Sequence, residues 1–481
     1  MSGPSEDVCF AYSETLKSNA AEKALTSAIS DHLPRLTVVG AGYVGLVTAA
    51  AFASMGYSVI CTDTDTKKIK ILQEHGCPFF EPQLEELLNY HSKRLRFTSD
   101  ASQAYREPDV VILSVGTPES PDGSANLHYI YQALQDICDH IDYETTIIIK
   151  STVPPGTSEK IKEFLQKNSK PSAYFHVVSN PEFLSQGSAV RDIFSASRII
   201  IGTESKEDAA FMERLYKPFH LPIVSVSRAS AEMIKYASNG FLALKISYIN
   251  EIANLCEQTG ADIQEVVLGM GKDPRIGFRF LRAGIGYGGA CFPKDTKALR
   301  RLAVSNGGDF LTIKAAIDAN TRQQLKLIEK ARKYYKCFHG LTVTFLGITF
   351  KPNTDDLRGA PSLSCATVLL NEGAKLKIWD PLGAPQFRQL MGNAVELHES
   401  IENALCDSDL CMIFTEWKEI CNLDPQIFQC RMKMPIVLDG RNCFELSDMY
   451  DRQIYYDSIG RKAIIPDNNT SFHQEHSDNI A

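Results

Sequence analysis

The segment GIGYGGACFPKD, residues 284–295, sets Cys291 behind a run of glycines and just ahead of Lys294 and Asp295. Glycines on both sides of Tyr287 let main chain approach a ligand closely. A lysine nearby favours the thiolate, the thiolate is the nucleophilic form of cysteine, and Asp295 can orient a polar neighbour. No histidine lies in this motif or in the others below, so a Cys–His dyad has little support. Taken alone, a buried thiol in a glycine turn is the commoner use of such a cysteine.

A second constellation is VVGAGYVG, where Gly40, Gly42 and Gly45 follow an apolar run and open a helical pattern. In a strand–turn–helix the three glycines serve a tight turn, room for a pyrophosphate and close helix–sheet packing, and the phosphate meets the positive helix end. The run SVICTD ends at Asp63 about twenty residues on, where a carboxylate can accept from the adenosine ribose hydroxyls. Asp63 favours NAD over NADP because it repels a 2′-phosphate, while Lys67 and Lys68 pull the other way. Lys235 and Asn239, four apart on a helical stretch, share a face, and Glu182 follows a strand in SNPEFLSQGSA. Residue type alone leaves these three open between site and ordinary surface or loop cap.

These residues need a scaffold, and the pattern supplies one. From RLTVVGAGYVG onward, short β-branched runs (DVVILSVGTP, TTIIIKSTVPPG, FHVVSNPEF, RIIIGT) alternate with helical stretches, which argues for a parallel sheet covered on both faces. SAEMIKYASNGFLALKISYINEIANLCEQTG reads as one long helix, capped by Ser230 and closed at Gly260. A second series runs through LTVTFLGITF, KLKIWDP and DLCMIFTEW to PIVLDGRNCF. The expected fold is α/β, two doubly wound parallel-sheet domains joined by a helical middle, with sites at the carboxyl ends of the strands. Expected boundaries are an extension over 1–34, domains over 35–215, 216–330 and 331–461, and a tail over 462–481, both ends polar and read as disordered.

With 481 residues the chain exceeds one compact core, and its 44% hydrophobic and 22% charged residues are those of a globular protein. A net charge of −8 offers no field for nucleic acid, so an anionic small molecule must be held by local Lys and Arg. Thirteen cysteines without a CxxC pair or zinc-ligand spacing predict no metal site and a reducing, cytoplasmic setting. No window reaches the roughly 18 unbroken apolar residues of a membrane span.

In this order the motifs GAGYVG, STVPPG, SNPEF, GYGGACFPKD, FKPNTDDLR and DSIGRK resemble the UDP-glucose/GDP-mannose dehydrogenase family, over about residues 35–461. The resemblance implies two Rossmann-like domains and a central helical dimerisation domain, hence a homo-oligomer. It also implies a four-electron oxidation of a nucleotide sugar's C6 alcohol to a carboxylate, with two NAD reduced in turn. The GYGGACFPKD wording points to UDP-glucose as the small-molecule partner. By motif matching, Cys291 captures an aldehyde as a thiohemiacetal and carries it to a thioester, and Glu182 is the base for hydrolysis. Lys235 and Asn239 stabilise oxygen-centred charge, Asp295 orders Lys235 and a water, and Thr152 helps hold that water. Gly40, Gly42, Tyr43, Val44, Gly45, Asp63, Lys68, Thr117, Thr152, Gln186, Lys294 and Arg358 match positions near NAD. Glu182, Phe183, Leu184, Lys235, Asn239, Phe280, Gly288, Phe350, Lys351 and Arg441 match positions near the nucleotide sugar, and Arg275 is expected to reach a neighbouring subunit's site.

The sequence departs from the family at Gln186 and Gly359, where relatives usually carry glutamate, and at Arg282 and Ile285 before the cysteine. Rival readings are a dehydrogenase of another nucleotide sugar, such as UDP-N-acetylmannosamine or GDP-mannose, a two-electron enzyme, and a non-catalytic paralogue. The last two have no use for Cys291 together with Lys235, Asn239 and Glu182.

Overall fold

A computed structural model describes residues 33–466; the rest of the expected N-terminal extension and C-terminal tail lies outside the described residues. The described residues form two compact units. One comprises the described residues up to Ser120 and Ala125–Lys235, the other Pro121–Ser124 and the described residues from Tyr236 on.

The first unit is built on β1 (Leu36–Val39), β2 (Val59–Thr62), β3 (Leu95–Thr98), β4 (Val110–Leu113), β5 (Glu144–Ile149), β6 (Tyr174–Ser179), β7 (Ile199–Gly202) and β8 (Ile223–Val226). Their order across the sheet is β3-β2-β1-β4-β5-β6-β7-β8. All neighbours are parallel except β6 and β7, which meet only at Ser179 and Gly202. β1 lies between β2 and β4, with Leu36 opposite both Val59 and Val110, so the topological switch point falls at the carboxyl ends of β1 and β4. Fully buried apolar runs such as VVIL in β4 are what a sheet covered on both faces requires. The sheet runs past the expected end at residue 215, because β8 pairs with β7.

The second unit carries an all-parallel sheet of β9 (Thr342–Leu346), β10 (Lys375–Trp379), β11 (Val395–Leu397), β12 (Leu410–Ile413), β13 (Ile436–Asp439) and β14 (Tyr455–Ser458), ordered β11-β10-β9-β12-β13-β14. Beyond β14 the chain stays tied to the sheet: Ile464 exchanges backbone hydrogen bonds with Tyr456 at 2.8 and 3.1 Å, so residues expected in the tail are anchored.

The long helix spans Arg228–Thr259. It begins earlier than the Ser230 expected as its cap, since Ser227 Oγ accepts the Ser230 amide at 3.2 Å and the Ser227 carbonyl accepts from Ala231. Gly260 closes it in the left-handed region at φ +80°.

Candidate active site

At the β1 turn, Gly40 adopts φ +99°, and a β-carbon there would press on the Ser114 backbone at 3.0 Å. A β-carbon on Gly45 would lie 1.8 Å from the Gly40 carbonyl oxygen, so helix Tyr43–Ser54 packs against the turn only with glycine there. Above Gly42 nothing lies within 4 Å, which leaves the space a pyrophosphate needs. Tyr43 and Val44, both half-buried, open the helix there. Asp63 Oδ2 accepts the Ala41 amide at 2.8 Å and pairs with Lys68 Nζ at 2.9 Å. The Lys68 ammonium is thus engaged by the carboxylate, which favours NAD over a 2′-phosphate. Ser114 Oγ, buried beside Gly45, has no hydrogen-bond partner among the described residues. Open space, an orphaned hydroxyl and a ribose-height carboxylate together fit a dinucleotide.

The turns after β4, β5 and β6 line the same end of this sheet. Thr117 Oγ1 donates to the Thr152 carbonyl at 2.9 Å, tying two of them together. After β6, Glu182 and Lys235 form a buried ion pair at 3.0 Å, and Lys235 Nζ also donates to the Glu182 carbonyl at 2.6 Å. Glu182 Oε2 accepts the Leu184 amide, and the Phe183 ring lies 5.3 Å under the Lys235 ammonium. Gln186 is half-buried further along that turn.

In the second unit, Asn239, one turn beyond Lys235 on the long helix, donates through Nδ2 to Asp295 Oδ2 at 2.6 Å. Lys294 Nζ takes the other Asp295 oxygen at 2.6 Å. Cys291 is exposed and caps helix Phe292–Ser305, its carbonyl accepting the Asp295 amide at 2.8 Å. Pro293 in that first turn has no amide proton to satisfy, as helix starts favour. The helix N-terminus favours negative charge at the sulfur. Arg358 adds to it: its guanidinium is held above the ordinary arginine range chiefly by hydrogen bonds to Asp356, with the Cys291 sulfur contributing in the same direction.

Side-chain amides hold the glycine loop before Cys291. Asn250 Oδ1 accepts the Gly284 amide at 2.8 Å, Asn320 Oδ1 the Tyr287 amide at 2.7 Å, and Gln323 Nε2 donates to the Gly284 carbonyl at 2.6 Å. Gly289 donates to the Arg358 carbonyl at 2.7 Å, and a β-carbon on Gly288 would lie 2.4 Å from the Gly359 oxygen. The Phe350 ring seats against Gly289 and lies 5.5 Å from Lys351 Nζ. Arg441 Nε donates to the Phe414 carbonyl at 2.7 Å and its NH2 to the Phe350 carbonyl at 3.2 Å, which brings Arg441, Phe350 and Lys351 to one edge of this unit. Phe280 is exposed with φ +65°. Arg275 projects into solvent, 87% exposed and clasped by Asp273 at 2.6 Å.

Of the departures, Gly359 adopts φ +61°, a backbone that disfavours the glutamate expected there from the resemblance. Arg282 NH2 donates to the Arg441 carbonyl at 3.0 Å, and Ile285 is fully buried. Sequence reasoning missed Lys150, Asn180 and Tyr216, a buried polar group behind Glu182, and Glu81, whose carboxylate accepts the Gly187 and Ala189 amides, each at 2.7 Å. Lys150 and Asn180 stood in the quoted strand runs; a lysine ending an otherwise apolar strand was the available signal.

A dinucleotide turn at the switch point of one sheet, joined in the same chain to an exposed cysteine at a helix start, defines an NAD-dependent oxidoreductase. Residues 34–220, 229–322 and 344–446 match, in turn, the NAD binding, central and UDP binding domains of the UDP-glucose/GDP-mannose dehydrogenase family, and the chain belongs to that family. It is 43% identical over 434 residues to UDP-glucose 6-dehydrogenase TuaD of Bacillus subtilis, covering 90% of this chain and 94% of that protein. It is 39% identical to the UDP-glucose 6-dehydrogenase of Rhizobium meliloti, over 89% of this chain and 99% of that one. Among solved structures, a UDP-glucose dehydrogenase from Pyrobaculum islandicum superposes with a TM-score of 0.83 at 35% identity, covering 89% and 98% of the two chains. A UDP-D-ManNAc dehydrogenase from Pyrococcus horikoshii follows at 0.78 and 29%, over 89% and 99%. No helix among the described residues is long and apolar enough to cross a membrane.

Proposed function

We propose that the chain oxidises the C6 alcohol of UDP-glucose to the carboxylate of UDP-glucuronate, holding the half-oxidised sugar on Cys291. The exposed thiol at a helix N-terminus, within electrostatic reach of the Arg358 guanidinium, is the observation that carries this reading. NAD, when bound at the Gly40–Gly45 turn with its ribose on Asp63, supplies the hydride acceptor. The Cys291 thiolate adds to the C6 aldehyde as a thiohemiacetal, and the second oxidation leaves a thioester. Glu182 removes a proton from the water that hydrolyses the thioester, expelling the Cys291 thiolate. Lys235 and Asn239 balance charge developing on the sugar oxygen, Thr152 holds the water, and Asp295 fixes Asn239. Arg441, Lys351 and Phe350 hold the nucleotide sugar in a protein that is acidic overall.

UDP-glucose is favoured over UDP-N-acetylmannosamine because relatives named for the former reach 44% identity, whereas solved structures named for the latter are 25% to 29% identical. Counting NADH against sugar consumed across purified nucleotide sugars tests both points: about two per UDP-glucose is expected, and one, or a faster turnover of another sugar, overturns the reading. Intact-protein mass spectrometry under turnover should show a sugar adduct on the peptide spanning Cys291, absent in Cys291→Ala.

A homodimer is the proposed assembly. Phe241, Tyr248 and Leu255 recur every seven residues along the long helix and stay exposed, an apolar stripe suited to a second copy. Light scattering on Tyr248→Glu should then give a smaller particle than wild type. A reducing, cytoplasmic setting is proposed from the scatter of the thirteen cysteines, none of them in a CxxC pair.

A further inference from the structure

Where β5 ends, Lys150 turns its side chain into the interior and reaches across the sheet. Its ammonium donates to Asn180 Oδ1 at 3.0 Å and to Tyr216 Oη at 3.2 Å. The Tyr216 hydroxyl donates to the same Asn180 oxygen at 2.5 Å, and Asn180 Nδ2 donates to the Ile200 carbonyl at 2.8 Å. This closed triangle ties the ends of β5, β6 and β7 where the parallel order of the sheet breaks. Among the described residues no carboxylate lies within ion-pairing distance of Lys150.

A buried amine without a contacting counter-ion is an expensive way to fill space, and a methionine would fill it more cheaply. The reward is position. Lys150 stands two residues before Thr152, and Asn180 two residues before Glu182, so the triangle anchors the roots of both turns that carry them. We propose that Lys150 is a positioning residue for the hydrolytic step, fixing the Glu182 turn through Asn180 and sharing the Glu182 carboxylate electrostatically with Lys235. The inference rests on the reading of Glu182 as the base that frees the acid from Cys291.

The groups facing Lys150 are Asn180 and Glu182 from the turn after β6, Tyr216 from helix Lys206–Tyr216, and Lys235 from the long helix. Burial pushes its pKa down to about 8; Glu182 favours the ammonium and Lys235 disfavours it. Below that pH, the Glu182 carboxylate faces two cations; above it, Lys235 alone.

The test weighs the intact full-length enzyme, quenched at intervals after mixing with UDP-glucose and NAD, on both sides of pH 8. In wild type the adduct should decay faster as pH rises through about 8. In Lys150→Met it should persist about tenfold longer, because the turn has lost its anchor, and its lifetime should no longer change across that pH. Equal lifetimes with equal pH dependence overturn the proposal. Should Lys150→Met fail to fold, Tyr216→Phe removes one acceptor and should move the inflection to lower pH, and an unmoved inflection is the contrary result. If wild type shows no adduct at all, the covalent reading falls. The pH profile of kcat then decides on Lys150 by itself: an inflection lost in the variant supports it, and a shared profile overturns it.

Discussion

At the end of β2, Asp63 accepts the Ala41 amide at 2.8 Å; at the end of β10, Asp380 accepts the Ile348 amide at the same distance. Both bonds close the first turn of a doubly wound sheet, and both turns put a glycine at positive φ, Gly40 and Gly347. The resemblance ends with what else the carboxylates do. Asp63 adds only the Asp65 amide and Lys68, and keeps 14% of its side chain accessible at the switch point. Asp380 is consumed: the amides of Leu382 and Gly383 and the Trp417 indole all donate to it, at 2.7 to 3.0 Å. The same contrast recurs in two buried lysines. Lys330 in the second unit is pinned between Glu257 at 2.8 Å and Asp457 at 2.6 Å, whereas Lys150 in the first has hydroxyl and amide partners. At these paired positions the first unit leaves charge available for a ligand or a reaction, and the second spends it on its own structure. Two copies of a fold therefore do not make two dinucleotide sites.

The largest effect expected from this contrast is at Lys330. Lys330→Met leaves Glu257 and Asp457 without their shared buried cation and should cost about 3–5 kcal/mol in denaturant unfolding; a loss under about 1 kcal/mol would show that the pair is not structural. Asp380→Ala strands several buried donors and should cost about 3 kcal/mol, with KM for NAD unchanged in whatever fraction folds. Lys150 should behave differently. Its pKa falls from 10.5 unfolded to about 8 folded, so between those values the unfolded chain holds a proton that the folded chain lacks. Stability contributed by this group therefore rises with pH through that window, by on the order of 3 kcal/mol. Lys150→Met should flatten the rise in unfolding free energy measured above pH 8, and an unaltered slope would contradict the assignment.

Asp63→Ala should do the reverse of Asp380→Ala. Losing hydrogen bonds from ribose hydroxyls to a charged acceptor should raise KM for NAD about 10–100-fold, narrow the preference over NADP, and shift the unfolding midpoint little. A loss of stability as large as that at Asp380 would erase the distinction between the units.

What could be read from the sequence follows the same physics. The strands it marked are interior ones, whose runs are apolar on both faces, such as VVIL in β4. The strands it passed over, β3, β8, β11 and β14, are the four sheet edges. β3, β8 and β11 are partly exposed and mix polar residues into the run, as in the VEL of β11, and β14 is buried but carries Asp457 and Ser458. At the site, the glycines, Asp63 and Cys291 stood out because their tasks constrain residue type and spacing. Lys150 and Asn180 did not, since they act on each other across 30 residues of sequence, and only the pairing of β5 with β6 brings them together.

The smallest expected effect concerns the departure at Gly359. Its φ of +61° costs a side-chain-bearing residue about 1 kcal/mol. A β-carbon there would meet Pro293 Cγ at 3.5 Å and Gly288 Cα at 3.6 Å, ordinary contacts that require no movement of the cysteine loop. The backbone is thus the whole penalty. Gly359→Ala should unfold about 1 kcal/mol more easily with kcat and both KM values close to wild type, since the Gly359 carbonyl still receives Gln324 Nε2 at 3.2 Å. A fall in kcat without a fall in stability would instead place this turn among the parts of the second unit that act on substrate, and would shift the line between spent and available groups from Arg358 to its neighbour.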